Sequence, residues 1–134
     1  MTAKVCLVTG SGRRIGASII RKFAQEGYAV LIHVSRSVEA GELLKSELLA
    51  QGQKADVVRA DLSDENETAK LIQTITQHPF VADRKGLDVL VLNASVYSQM
   101  PIEELSLETM RFLNRLHVEA PLQLSQGLVQ LLSA

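Results

Sequence analysis

Apolar positions along this chain come in two textures: short unbroken runs, and longer stretches in which they recur every three or four residues. Lys4 to Thr9 is a β-branched, apolar run that ends at Gly10, which predicts a buried strand followed by a turn. Ile15, Ile19, Ile20, Phe23 and Ala24 then keep helical spacing, and Gly27 closes that helix in the manner of a left-handed cap. Ala29 to Val34 has almost no alternation, as expected of a strand covered on both faces in a parallel sheet. Leu43, Leu44, Glu47 and Leu48 mark a second helix ending near Gly52, and Ala55 to Arg59 a weaker third strand. Asp64 to Gln77 reads as a third helix with Leu71, Ile72 and Ile75 inward. Pro79 to Gly86 reads as a loop, and Leu87 to Leu92 as a fourth strand running into Asn93. A last helix is expected from Ser106, with apolar residues at helical spacing from Leu107 through Met110, Leu113 and Leu116 to Leu132, and a kink or local break at Pro121.

Strands that alternate with helices imply parallel pairing through right-handed crossovers. The expectation is a single α/β domain over residues 1–134: a Rossmann-like, doubly wound parallel sheet with strand order 3-2-1-4. In such a sheet a ligand lies beyond the carboxyl ends of the strands, where strands 1 and 4 diverge, so the loops after the strands carry the most weight. The length of 134 residues and an apolar content of 46% suit one compact core.

Charge narrows the partners. With 14 basic and 15 acidic side chains the formal net charge is −1, so no overall field draws the chain to nucleic acid or to anionic lipid. The first apolar run is too brief for a signal-peptide core or a membrane span, and a cytoplasmic location is expected. Cys6, the single cysteine, reads as a small buried hydrophobe. His33 and His78 show no metal-ligand spacing with Cys6 or with neighbouring carboxylates, and no metal site is expected.

The first loop reads Thr9-Gly10-Ser11-Gly12-Arg13-Arg14-Ile15-Gly16, between a strand and a helix. There Gly10 permits a tight turn, Gly12 lets backbone approach a pyrophosphate, and Gly16 lets helix pack on strand, while the helix N-terminus offers free N–H groups to phosphates. The alternative is an ordinary glycine turn. The loop departs from the plain G-x-G-x-x-G spacing and resembles the T-G-x-x-x-G-x-G loop of short-chain dehydrogenases/reductases. Arg14 stands at the middle glycine, a variant also found in pteridine reductases. That resemblance implies cofactor contacts from Gly10, Ser11, Gly12, Arg14, Ile15 and Gly16, and extends over the whole chain through three further signatures.

At the end of strand 2 an NAD site needs a carboxylate for the ribose hydroxyls. This chain instead reads His33-Val34-Ser35-Arg36-Ser37, a guanidinium and two hydroxyls that suit a 2′-phosphate, with Arg14 able to close on the same group. NADP(H) is therefore the expected cofactor; otherwise Arg36 and Ser37 are a solvated helix start. Asp61-Leu62 resembles the family's adenine-binding pair, although Asp61 or Ser63 reads equally as a cap for the helix near Asp64. Asn93-Ala94-Ser95 resembles the family's N-N-A-G loop in the N-A-S form of pteridine reductases, with Leu92 in place of the first asparagine. Asn93 alternatively is a turn residue. His117, within His117-Val118-Glu119-Ala120-Pro121, stands where most of the family has an asparagine that supports a proton relay. Bacterial reductases resembling dihydromonapterin reductase also carry histidine there, which points to a pteridine substrate; the alternative is a hydrogen-bonded core histidine.

The family's Tyr-x-x-x-Lys pair is absent: residues four beyond Tyr28 and Tyr97 are Ile32 and Pro101. The resulting expectation is a chain that carries the cofactor half of an NADPH-dependent reductase, truncated before its catalytic segment and inactive alone. An apolar last helix ending at Ala134 without a polar cap favours a homo-oligomer through that helix. A non-catalytic module that binds nucleotide or a partner is the competing reading. A flavodoxin-like sheet would want a hydroxyl-rich first loop, which two arginines and three glycines argue against.

Overall fold

A computed structural model describes residues 2–132. Four strands, β1 (Val5–Val8), β2 (Ala29–Val34), β3 (Ala55–Arg59) and β4 (Val89–Val91), form one parallel sheet in the order β3-β2-β1-β4. The intervening helices are α1 (Arg14–Gln25), α2 (Val38–Ala50), α3 (Glu65–Gln77) and α4 (Pro79–Arg84). After β4 come α5 (Leu107–Asn114), a π-helical segment (Arg115–Glu119) and α6 (Ala120–Leu132).

Successive strand residues point to opposite faces, and both faces are covered. Val5, Leu7, Ala29 and Leu31 face α3, α4 and α6, joining Leu71, Val81, Leu124 and Leu128 in one core. Cys6, Val8, Val30 and Ile32 face α1 and α2, joining Ile20, Leu44 and Leu48 in the other. Double coverage is why β1 and β2 read as unbroken apolar runs. Burial pushes the Cys6 thiol up to about 12, so it behaves as a hydrophobe.

Four details differ from the sequence reading. Residues 79–84 form α4 and not a loop: Pro79 occupies its first turn, and the His78 imidazole caps it by accepting from the Phe80 N–H at 3.1 Å. Strand 4 is shorter than expected and half-buried, because it forms an edge of the described sheet. Ile15 is not inward; it is 71% exposed, lying in the turn of α1 that overhangs the strand ends. The expected long last helix is interrupted before Pro121 by the π segment, and of its early apolar residues Leu107 and Met110 are exposed while Leu116 is buried. Met1 and residues 133–134, where the uncapped terminus was expected, lie outside the described residues. Among the described residues no helix is long and apolar enough to cross a membrane.

Asp88 pins β4 to its neighbours. Its carboxylate accepts from the Val5 N–H at 2.8 Å and from Arg84 Nη2 at 2.9 Å. The hydrogen bond from Arg84, reinforced by that from Val5, holds the carboxyl below its ordinary value of 3.8. Its stabilising contribution is thus complete above that value and lost as pH falls below it. Urea midpoints measured from pH 6 down to pH 3 should fall at the acid end, and Asp88→Asn should flatten that fall; an unchanged acid slope would assign the effect elsewhere.

Candidate functional site

The carboxyl ends of all four strands open into one cleft of about 780 Å³. Its floor is the junction of the β1 and β4 loops. Thr9, 1% exposed, accepts at its hydroxyl from the backbone N–H groups of both Asn93 and Ala94, each at 3.0 Å. The Asn93 side-chain amide donates to the Gly10 carbonyl at 3.1 Å, so this asparagine ties the two loops together as its amide allows. Gly10 sits at φ 63°, and a Cβ there would lie 2.8 Å from Ala94 Cα. At Gly16 a Cβ would collide with the Gly10 carbonyl oxygen and stand 2.7 Å from Ser11 Cα. These two glycines bring the start of α1 down onto the strand ends.

Two loop residues have other roles than expected. The Ser11 side chain is fully buried and donates to the Val8 carbonyl at 2.7 Å, while its amide donates to the His33 carbonyl at 2.9 Å. Ser11 therefore closes the turn beneath the cleft and does not line it. Gly12 does line the cleft, but a Cβ there would also meet Val34 Cγ1 at 3.0 Å and the Ser37 carbonyl at 3.3 Å, so its smallness serves packing against the β2–α2 turn.

Positive charge surrounds this end of the cleft. The first turn of α1 has no acidic residue, and its cap residue, Arg13, makes no side-chain cap hydrogen bond. The helix therefore presents its positive pole and free N–H groups to an anion. Arg13, Arg14 and Arg36 are exposed, line the cleft and form no ion pair among the described residues. Arg14 holds φ 53°, a left-handed conformation that explains why a glycine suits this place in the loop. Ser35 and Ser37 line the same wall, and Arg59 fixes that turn by donating to the Ser35 carbonyl at 3.1 Å.

The third loop resolves an ambiguity. Asp64 is the cap of α3, accepting from the Asn66 and Glu67 N–H groups. Asp61 instead accepts from the Ser63 hydroxyl at 2.6 Å and its N–H at 2.9 Å, and lines the cleft with Leu62. The Ser63 hydroxyl bond, with Arg36 and Arg59 nearby, keeps Asp61 below its ordinary range and hence ionised.

His117 lies in the π segment, exposed rather than in the core. Its Nε2 accepts from the Val96 N–H at 3.2 Å and lies 3.2 Å from Ser95 Oγ. An N–H can only donate, so the imidazole proton resides on Nδ1. The cleft is thus lined by every sequence-predicted binding residue except Ser11, and His117 reaches it through Ser95. Sequence reading overlooked Arg13, Val96 and Phe112 in the lining. It also missed the role of His33, which emerges only from strand register. Neither tyrosine serves the cleft: Tyr28 packs edge-on against Phe23, and Tyr97 is 85% exposed.

The sequence matches the family described as short chain dehydrogenase over residues 4–134. The chain belongs to the short-chain dehydrogenase family. Among curated relatives, it is 38% identical over 107 residues to the granaticin polyketide synthase putative ketoacyl reductase 2 of Streptomyces violaceoruber, a match covering 80% of this chain and 39% of that protein. It is similar to the angucycline C-6 ketoreductase LanV solved with bound NADP, at a TM-score of 0.90 and 26% identity, covering 97% of this chain and 51% of that one. A third similarity is to FolM alternative dihydrofolate reductase 1 from Brucella canis complexed with NADP, at a TM-score of 0.79 and 29% identity, covering 96% of this chain and 49% of that one. This short-chain dehydrogenase chain spans about two fifths of the length of the curated relatives it matches.

Proposed function

We propose that the cleft binds NADP(H) and that this chain is the cofactor half of an NADPH-dependent reductase. The carrying observation is the cleft wall after β2, where Arg36 stands with Ser35 and Ser37 and forms no ion pair among the described residues, with Arg14 lining the same cleft. That set suits the dianionic 2′-phosphate of NADP(H) and lacks the acidic residue that would bind bare ribose hydroxyls. The α1 N-terminus suits the pyrophosphate, and Asp61 with Leu62 suits the adenine. Two similar solved structures, those of LanV and FolM, contain NADP, which supports the same reading.

When bound, the nicotinamide supplies hydride chemistry. On this reading the chain's own residues bind and orient the cofactor, and His117, hydrogen-bonded to Ser95 at the cleft, holds a proton at Nδ1 as part of a relay. The Tyr-x-x-x-Lys acid comes from outside these 134 residues. We infer a pteridine as substrate, from the resemblance at Arg14, Asn93-Ala94-Ser95 and His117 and from the FolM neighbour. The ketoreductase relatives favour a second substrate, a polycyclic ketone. Exposed Val118, Leu122 and Val129 support self-association through the last helical stretch.

The test is direct. The purified chain should bind NADPH in preference to NADH, and should leave NADPH unoxidised when offered either a dihydropterin or a polycyclic ketone. A preference for NADH would overturn the cofactor assignment, and turnover would overturn the division of labour.

A further inference from the structure

His33 is 1% exposed at the end of β2, an expensive place for an imidazole unless both ring nitrogens are satisfied. Both are, and by loops on opposite sides. Nδ1 lies 3.0 Å from the Gly10 amide nitrogen, whose N–H donates to it. Nε2 lies 2.9 Å from the Ala60 carbonyl oxygen. Because an amide can only donate and a carbonyl can only accept, the ring is neutral with its proton on Nε2. A protonated ring would set two N–H groups against each other at Gly10. Burial works in the same direction, holding the imidazole below its ordinary value despite the Ala60 bond.

The partners give this residue its significance. Gly10 opens the turn into α1, whose N-terminus faces the pyrophosphate position. Ala60 immediately precedes Asp61, at the adenine position. His33 itself lies two residues before Ser35, where the 2′-phosphate wall begins. The turn after β1 and the chain after β3 lie on either side of β2 and do not pair with each other.

Resting on the NADP(H) reading above, we propose that His33 is a positioning residue, its neutral imidazole setting the spacing between the loop that holds the pyrophosphate and the loop that holds the adenine. It touches neither group. It acts through the Gly10 amide and the Ala60 carbonyl.

Two conservative variants separate the two bonds. In His33→Asn a side-chain oxygen takes the place of Nδ1 and keeps the Gly10 contact, while the reach to Ala60 is lost. In His33→Gln the amide nitrogen takes the place of Nε2 and keeps the Ala60 contact, while Gly10 loses its acceptor. Titration with NADPH and with adenosine 2′-monophosphate, which has no pyrophosphate, reads the two loops separately. His33→Gln should bind NADPH about tenfold more weakly yet keep affinity for the monophosphate within about twofold. His33→Asn should lose about tenfold for the monophosphate as well, and His33→Leu should lose at least as much for both. A merely structural role would lower the melting temperature and weaken both ligands in equal proportion in every variant, which would overturn the proposal. If wild type does not bind NADPH, the cofactor reading itself fails; if wild type binds and the variants match it, only the role of His33 fails. Should the variants not fold, 15N-histidine spectra of the wild type decide. A ring protonated at Nε2 whose signals move on NADPH addition supports the proposal, and a ring protonated at Nδ1, or one insensitive to NADPH, overturns it.

Discussion

Arg36→Ala is expected to weaken NADPH binding by about tenfold to a hundredfold while leaving NADH within about twofold of wild type. The range follows from a charge-assisted hydrogen bond at a solvent-open wall, worth about 1.5–3 kcal/mol. Arg36 is suited to that role because no carboxylate among the described residues pairs with it. Asp61, whose ionised state Arg36 favours, lies near enough to feel that charge, so the variant also removes some attraction inside the empty protein. Fluorescence titration of both dinucleotides at low and at physiological salt checks the result, and the loss should shrink as salt rises. Equal losses for the two dinucleotides would mean that Arg36 shapes the turn and does not read the phosphate.

Gly16→Ala should be more damaging to the fold than any surface change in the cleft. A single methyl there meets backbone on two sides, the Gly10 carbonyl and Ser11 Cα at 2.7 Å, with the Asn93 amide at 2.8 Å closing the third. The first two are backbone, and the third, the end of the Asn93 side chain, is tied to the Gly10 carbonyl, so α1 must lift away from the sheet. A loss of about 3 kcal/mol, near the upper end for overpacking, corresponds to roughly 10 °C in melting temperature for a domain of this size. On the proposed NADP(H) reading, NADPH affinity should fall with it, because the lifted helix carries the N–H groups assigned to the phosphates. A thermal melt within about 2 °C of wild type would show that the junction tolerates the methyl and that the packing argument is wrong.

The sheet was legible because coverage on both faces leaves a plain mark: Val5–Val8 and Ala29–Val34 contain almost nothing but apolar residues, and alternation with helices fixes a parallel order. The cleft was legible for a related reason, since ligand loops follow strand ends and each carries its chemistry in consecutive residues. What escaped depends on contacts distant in sequence. Six residues of α4 are too few to show a helical period, and its cap is an imidazole and not one of the usual oxygen-bearing side chains. Ser11 was expected at the cofactor from the resemblance of its loop, whereas the turn folds its hydroxyl back onto Val8. His33 reads in sequence only as part of a nearly unbroken strand, with no metal-ligand spacing to other residues. Its meaning lies in the register that sets Val8 opposite Ile32 and His33 opposite Val58, which brings Gly10 and Ala60 to its two ring nitrogens. The π segment beneath His117 left no periodicity signal distinct from a helix with a proline.

On the proposed NADP(H) reading, Arg14 combines two opposed demands in one residue. Its backbone at φ 53° is a conformation that disfavours any side chain by about 1–2 kcal/mol, yet its guanidinium stands at the cleft. Selection acting on folding alone would drift toward glycine at this codon, and selection acting on the choice between dinucleotides would hold arginine in place. Variants ranked by thermal endurance and variants ranked by cofactor discrimination should therefore come out in opposite order here, making this turn a poor target for stabilising the protein and a good one for retuning its redox currency.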